Sequence, residues 1–216
     1  MQILRYSVGQ LQTNCYLLVT DDKCLVIDPG DEGEFILEQI QIKKLKPLAI
    51  LATHGHFDHV LAVGEIQASF DIPFYIHEKD LFLLKRVKET AEYFLKNKQI
   101  ILPISNIRNL KIENLLQIEN FKLKIFFTPG HTPGSVCYYL PAEVESDATK
   151  EGLSIIFTGD TLFKDGIGRY DFFYSSKKDL DNSLKRILSL SKNTVVYSGH
   201  GEETTIGEEV INFSIS

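Results

Sequence analysis

The sequence predicts an α/β protein built from two β-sheets with helices outside them. Short apolar runs open each half of the chain and are followed by amphipathic stretches, and this order favours strands first and then helices. The run PLAILAT at 47–53 is apolar throughout, as expected of a strand that is buried on both faces. No linker, low-complexity tract or change in composition interrupts residues 1–216, which are therefore predicted to form a single domain.

Apolar runs of strand length, bounded by turn residues, predict the strands. They lie at 2–8, 14–20, 24–28, 47–53, 72–77, 121–127, 135–140, 153–158 and 193–198. Apolar residues at helical spacing predict the helices. These lie at 34–45, 60–70, 78–97 and 179–190, and the last has an acidic first turn that suits the helix dipole. The polar, acidic stretch 141–152 is predicted to be a solvated hairpin loop.

The composition excludes several classes of protein. A net charge of -6 argues against a nucleic-acid surface, and no apolar run approaches the roughly 20 residues that span a bilayer. The first ten residues lack the basic and apolar regions of a signal peptide. Cys15, Cys24 and Cys137 are scattered and odd in number, which predicts reduced, buried thiols and a cytoplasmic location. Neither nucleic acid nor a membrane is therefore expected as a partner, and the chain is predicted to be a monomer or homodimer.

Histidine is concentrated in THGHFDH at 53–59, which holds three of the six histidines. The glycine and the lack of apolar residues at i, i+4 favour a loop rather than a helix here. In an extended loop, His54, His56 and Asp58 project to one side, and His59 turns to another. The stretch is therefore a candidate set of metal ligands.

Three later strands end in the same way. KIFFTPGH delivers His131, LSIIFTGD delivers Asp160 and NTVVYSGH delivers His200, each beside a glycine that lets the backbone bend and a ligand approach. A single strand-end histidine is usually a surface or hydrogen-bonded residue, but the repetition favours a metal centre. His77 follows a strand without a neighbouring glycine and is assigned no role.

Seven ligands exceed the four of one tetrahedral ion and predict two ions that share a carboxylate. The first ion is assigned to His54, His56 and His131, the second to Asp58, His59 and His200, and the bridge to Asp160. Asp58 is predicted to be catalytic as well. The cofactor is predicted to be two divalent ions per chain, zinc in the first place, with iron and manganese as alternatives because the ligand set has no thiolate.

These motifs together resemble the metallo-β-lactamase superfamily. The resemblance rests on HxHxDH, TPGHTPGS, FTGD and the last histidine, with NCY at 14–16 and DPG at 28–30. It implies a four-layer αββα sandwich of two mixed sheets with the metals at one edge. Within the superfamily the chain resembles the glyoxalase II group, the hydroxyacylglutathione hydrolases, because Asp160 stands where the best-known β-lactamases carry cysteine.

The resemblance implies hydrolysis of a thioester of the S-lactoylglutathione type by a hydroxide held between the two ions. The segment 157–169 resembles that group's Gly-x-Gly stretch, which is followed by a basic residue that contacts glutathione, here Arg169. The segment 198–209 resembles a short bacterial branch of the group. This branch lacks the C-terminal helical domain of full-length glyoxalase II, which implies a more open metal site.

Other functions are also compatible with these residues. A persulfide dioxygenase would use one iron on His54, His131 and Asp160. A lactone or other ester hydrolase, or a β-lactamase-like enzyme that Asp160 disfavours, would use the full ligand set. A non-catalytic interaction module ranks last, since none of the seven ligands is missing.

Two further residues have alternative readings. Asp28 is predicted to orient a ligand imidazole, or else it is a turn residue ahead of Pro29 and Gly30. Arg169 is predicted to bind a substrate carboxylate, or else it forms an ion pair with Asp171.

Overall fold

A computed structural model describes residues 1–112, 115–142 and 153–214. The chain divides into two compact units, Met1–Leu110 and Lys111–Ser216, and each contains one six-stranded mixed sheet with helices. The predicted fold class of two mixed sheets and helices is confirmed. Within the described ranges, no helix has both the length and the apolar character needed to cross a bilayer.

The sheet of the first unit has its strands in chain order. They are β1 (Gln2–Val8), β2 (Thr13–Thr20), β3 (Lys23–Ile27), β4 (Lys46–Leu51), β5 (Phe74–Ile76) and β6 (Ile107–Asn109). The first three strands pair antiparallel, and β3 to β6 pair parallel. The apolar run of β2 is buried along nearly its whole length, whereas β1, at the edge, alternates between partly buried and exposed residues.

The helices of the first unit are shorter than their sequence patterns predict. They are α1 (Gly33–Ile42), α2 (Phe57–Val60), α3 (Val63–Ser69), α4 (Leu81–Leu84) and α5 (Val87–Leu95). The predicted helix 60–70 is thus divided, with a break before Val63, and the pattern 78–97 becomes a 3₁₀ turn (Glu78–Asp80) followed by α4 and α5. The apolar periodicity continues across these breaks because consecutive pieces bury their apolar residues in one cluster.

The sheet of the second unit departs from chain order. Its strands are β7 (Leu115–Ile118), β8 (Phe121–Phe127), β9 (Val136–Leu140), β10 (Ile155–Gly159), β13 (Val195–Ser198) and β14 (Thr204–Thr205), in the order β14-β13-β10-β9-β8-β7. Among the strands described in this sheet, only β10 and β13 pair parallel. A small hairpin of β11 (Leu162–Phe163) and β12 (Gly166–Ile167) follows β10. The strands β9 and β10 are antiparallel neighbours, as the predicted hairpin requires, but residues 143–152 of its loop lie outside the described residues.

Two helices complete the second unit, α6 (Lys177–Leu188) and α7 (Ile206–Ser214). The Ser176 side chain accepts a hydrogen bond from the Asp179 N–H and begins α6, whose apolar residues Leu180, Leu184 and Ile187 are buried at helical spacing. The helix α7 was not predicted from the sequence. The signal for it was the Thr205-x-x-Glu208 capping box, in which the Thr205 N–H donates to Glu208.

Candidate metal centre

The HxHxDH segment follows a pair of parallel strands whose carboxyl ends lie side by side. The Asp28 N–H, just after β3, donates to the Leu51 carbonyl at the end of β4, 2.9 Å away. His54 and His56 follow β4 in non-helical backbone, but Asp58 lies in the short helix α2. The prediction of a loop throughout 54–59 is therefore wrong for its last part, because a single helical turn is too short to show an i, i+4 apolar pattern.

Asp28 is buried, and its carboxylate determines the orientation of two imidazoles. One oxygen accepts the Thr53 N–H at 2.7 Å. The other faces the Thr53 hydroxyl at 2.7 Å and His59 Nδ1 at 3.0 Å. A carboxylate can only accept here, so Nδ1 of His59 carries the proton and Nε2 holds the lone pair. The structure thus places Asp28, the residue predicted to orient a ligand imidazole, beside His59 and the Thr53 hydroxyl.

The Thr53 hydroxyl fixes the position of the ring proton of His54 in the same way. Its single proton goes to Asp28, so it accepts from Nδ1 of His54, which lies 3.1 Å away. Nε2 of neutral His54 therefore holds a lone pair. That Nε2 lies 3.1 Å from Nδ1 of His56, and two nitrogens on one tetrahedral zinc, each about 2.0–2.1 Å from the ion, lie about 3.3 Å apart. The pair fits two ligands of a single ion.

Asp58 and His59 are consecutive residues of α2, and their side chains approach each other. Oδ2 of Asp58 accepts from the Thr13 hydroxyl at 3.1 Å and lies 3.7 Å from Nε2 of His59. A Cβ atom on Gly30 would lie 1.7 Å from the Asp58 carbonyl oxygen. The DPG turn therefore needs glycine for steric reasons, since it supports the backbone of the helix that carries this pair.

In the second unit, the parallel strands β10 and β13 repeat the arrangement. Asp160 follows β10, and His200 follows β13 two residues beyond its end. One extra residue of β10, Thr158, interrupts the register between the two strands, and its hydroxyl donates to the Leu162 carbonyl at 2.8 Å. Such a bulge re-aims the side chain that follows it. Here that side chain belongs to Asp160.

His131 lies in the TPGHTPGS turn after β8. Gly130 has a φ of +143°, and a Cβ there would meet the Leu180 backbone at 2.3 Å, so only glycine fits. Nδ1 of His131 lies 2.8 Å from the Arg169 carbonyl, which can only accept. Nδ1 therefore carries the proton, and Nε2 holds the lone pair.

The two oxygens of Asp160 face different histidines. Oδ2 lies 3.6 Å from Nε2 of His131, and Oδ1 lies 3.7 Å from Nε2 of His200. A Cβ on Gly168 would lie 1.8 Å from the Asp160 carbonyl oxygen, so this glycine sets the position of the ligand backbone. The two oxygens of the carboxylate are thus directed at two different predicted ligands.

The chemistry of these donors fits divalent metal ions. His54, His59 and His131 each have Nδ1 engaged by an oxygen that fixes the tautomer, which is the pattern around metal-bound imidazole. The histidines and aspartates of the predicted set are side chains that could hold a metal ion. Mixed nitrogen and oxygen donors without thiolate suit zinc, iron and manganese.

The guanidinium of Arg169 is paired with a carboxylate of the chain itself. Its Nε and Nη2 each donate to one oxygen of Asp171 at 2.9 Å, and the guanidinium lies 4.6 Å from the Phe172 ring centre. This ion pair lowers the pKa of Asp171. The alternative reading of the pair is thus seen in the structure, while the backbone carbonyl of Arg169 has an orienting role that the sequence analysis missed. His77 is buried and accepts the Lys79 N–H, as a capping residue.

The polar residues that support the predicted ligands were not assigned a role from the sequence. Thr53, Thr128, Thr158 and Ser198 are buried hydroxyls at the ends of four strands, and their repetition in the sequence was the available signal. Asp80 is fully buried and accepts the Gly55 N–H at 2.9 Å. No sequence pattern separates it from the other acidic residues of 78–97.

Comparison with known proteins supports one family. The pattern of the metallo-beta-lactamase superfamily matches residues 8–200. A probable metallo-hydrolase of Bacillus subtilis, YqgX, is 38% identical over 95% of this chain and 93% of its own. Hydroxyacylglutathione hydrolase GloC of Haemophilus influenzae is 35% identical over 97% of this chain and 95% of its own.

Solved structures give the same result. The structure of TTHA1623 in a di-iron-bound form has a TM-score of 0.82 and 37% identity, and each chain covers 96% of the other. The structure of the BLEG-1 B3 metallo-beta-lactamase has a TM-score of 0.85 and 35% identity, with 97% of each chain covered. With the family pattern spanning most of its length and relatives above 30% identity along nearly all of it, the chain belongs to the metallo-β-lactamase superfamily.

Proposed function

We propose that the chain is a binuclear metallohydrolase that cleaves thioesters of the hydroxyacylglutathione type. The first ion would use His54, His56 and His131, the second Asp58, His59 and His200, with Asp160 shared between them. The observation that carries the proposal is the fixed tautomer of the imidazoles, since Asp28, Thr53 and the Arg169 carbonyl leave Nε2 of three histidines with a lone pair.

The bound ions would supply a water of lowered pKa and would polarise the substrate carbonyl. The side chains of the ligand set would hold and orient the two ions. Asp160 presents one oxygen in the direction of each of two histidines, and Asp58 adds a second carboxylate with partial access to solvent. A thiolate leaving group, whose parent thiol has a pKa of about 8.5, departs without a dedicated general acid. Thioesters therefore suit a site whose side chains are metal ligands.

Two observations support the substrate class. GloC, a relative along nearly the whole chain, is named for hydrolysis of hydroxyacylglutathione. The Arg169 guanidinium lies 4.6 Å from the centre of the Phe172 ring, which in turn lies 5.8 Å from the His131 ring, so an anionic substrate group that displaced Asp171 could pair with it beside a predicted ligand. The proposed partner is a small anionic thioester in a reducing compartment, in keeping with three thiols that form no disulfide.

Hydrolysis of β-lactams is the second candidate, because a B3 β-lactamase structure is 35% identical over 97% of the chain. The two candidates separate in one set of assays on protein purified without chelator. Metal content, hydrolysis of S-lactoylglutathione, hydrolysis of a chromogenic cephalosporin and oxygen uptake with glutathione persulfide are measured together.

About two ions per chain and thioester hydrolysis support the proposal. One iron per chain with oxygen uptake, or cephalosporin turnover without thioester turnover, would replace it. Asp160→Asn is expected to lose metal and activity. Its control is Asp165→Asn on the following hairpin, where the carboxylate contacts the Asn212 amide, and this variant is expected to retain both.

A further inference from the structure

The His54-Gly55-His56 segment is contacted by a second buried carboxylate in addition to Asp28. Asp80 has no solvent exposure, and its Oδ2 accepts the Gly55 N–H at 2.9 Å. Gly55 lies between two predicted ligands of one ion. The hydrogen bond is therefore directed at the peptide that joins them.

The approach of Gly55 to the 3₁₀ turn is too close for any side chain. A Cβ atom on Gly55 would lie 2.9 Å from the Asp80 carbonyl oxygen and 3.1 Å from Cβ of Leu83. Glycine is therefore needed at the middle of the motif so that its N–H reaches Asp80. The contact is a built feature of the loop.

Asp80 stands on a well-supported turn. Its N–H donates to the His77 carbonyl at 3.0 Å, and the His77 ring accepts the Lys79 N–H at 3.2 Å. The Glu78 N–H donates to Asn109 in β6 at 2.9 Å. Because the turn is joined to the sheet in this way, Asp80 is a fixed point for the ligand loop.

Asp28 and Asp80 hold the loop at two successive points. Asp28 accepts the Thr53 N–H before His54, and Asp80 accepts the Gly55 N–H after it. The Ala52–Thr53 peptide and the His54–Gly55 peptide are thus each anchored to a buried carboxylate. The 3.1 Å separation between His54 Nε2 and His56 Nδ1 depends on this part of the backbone.

We propose that Asp80 is a positioning residue of the metal centre, which anchors Gly55 so that His54 and His56 present their nitrogens to the same ion. The inference rests on the proposed function in one respect, namely that these histidines bind metal. Asp80 acts through the Gly55 peptide and makes no contact with substrate.

The test uses metal-free protein and does not depend on turnover. Zinc affinity is measured by competition with a chromophoric chelator, and the coordination geometry is read from the visible spectrum of the Co²⁺-substituted protein. Asp80→Ala removes the acceptor, and we expect an affinity loss of about 10–100-fold, the range for outer hydrogen-bond partners of ligands. Asp80→Asn keeps an oxygen acceptor, so we expect a loss of about tenfold or less and partial retention of the Co²⁺ spectrum.

A matched control is Glu209→Gln. Glu209 is an equally buried acid that accepts from the Thr204 hydroxyl at 2.7 Å and from the Asp165 N–H at 3.1 Å, on elements that carry none of the HxHxDH ligands. We expect a lower unfolding temperature for this variant with an unchanged zinc affinity and Co²⁺ spectrum.

The inference is overturned if Asp80→Ala lowers the unfolding temperature as the control does but leaves zinc affinity within twofold of wild type. If Asp80→Ala does not fold, Asp80→Asn decides the matter, and an unchanged affinity and spectrum overturn the inference. Failure of the wild-type protein to bind zinc, iron or manganese refutes the proposed function itself. That result is distinct from a failure confined to the variants.

Discussion

Replacing Asp28 by asparagine tests whether the fold assigns the ring protons of two histidines. The substitution preserves shape but exchanges one acceptor oxygen for an NH₂ group. If the remaining oxygen keeps the Thr53 N–H, the NH₂ group faces the Thr53 hydroxyl and Nδ1 of His59, both of which donate in the native protein. His59 must then accept at Nδ1 and carry its proton on Nε2. The Thr53 hydroxyl must turn its proton toward His54, which reverses that tautomer as well.

The asparagine amide can take two orientations, and the one that costs less free energy sets the loss of metal affinity. In the first orientation both tautomers reverse, so two predicted ligand atoms lose their lone pair. The opposite amide orientation keeps the tautomers but leaves the buried Thr53 N–H facing a donor, which costs about 1–3 kcal/mol. Since 1.4 kcal/mol is a factor of ten, we expect metal affinity to fall about 5–150-fold, which includes the usual range for outer partners of ligands.

The assay is zinc competition with a chelator on metal-free protein, joined to ¹⁵N NMR of the histidine rings, which distinguishes Nδ1–H from Nε2–H. Asp31→Asn is the control, because it makes the same chemical change three residues away, where the carboxylate accepts the Glu32 N–H. Wild-type affinity in Asp28→Asn, together with unchanged ring tautomers, would refute the reasoning.

Three further predictions concern other parts of the molecule. Gly168→Ala should lower the free energy of unfolding by about 1–3 kcal/mol and reduce metal binding, because its Cβ overlaps the Asp160 carbonyl. Gly166→Ala is the control: the nearest atom to its Cβ is 3.9 Å away, so thermal unfolding and metal content should be unchanged. Asp171→Asn should lower the KM for S-lactoylglutathione about twofold to fivefold and leave that for a neutral thioester unchanged, because Asp171 competes with the substrate anion for Arg169, and a higher KM would mean instead that Asp171 holds the guanidinium in place. Burial raises the pKa of Cys15, and of Cys24 to about 12, so an aromatic disulfide should label no thiol of the native protein at pH 8 and all three after denaturation. Because the Cys15 and Cys24 thiols have a raised pKa and stay neutral in the folded state but ionise near pH 8.5 when unfolded, the free energy of unfolding should be fully retained below that pH and fall as the pH rises toward about 12. Early labelling or a flat profile would contradict their burial.

Much of the fold could be predicted because its signals are local. The runs of β1, β2 and β8 have the predicted bounds to within a residue, since apolar composition and flanking turns both mark them. Asp160 and His200 each lie just after a strand, as the repeated strand-end pattern predicts, although the pattern does not show that the two strands are neighbours.

Features that have no local sequence signal could not be predicted. The helix α2 is a single turn, so it has no periodic signal. The contact from Asp80 to Gly55 joins residues 25 positions apart, and an acidic residue within 78–97 carries no mark of that partner. The tautomers depend on which oxygen meets each ring, and for His131 that oxygen belongs to the main chain of Arg169, which no side-chain pattern can reveal.

The irregularity at Thr158 has a consequence for how this protein can vary. Side chains alternate between the faces of a strand, and the extra residue offsets that alternation just before Asp160. Deleting one residue anywhere between Ile155 and Gly159 would restore regular pairing with β13 while turning the aspartate toward the opposite face. A change that makes the sheet more ideal would therefore remove the carboxylate that we propose the two ions share, and we expect length changes in this strand to be tolerated only when a second change compensates for the first.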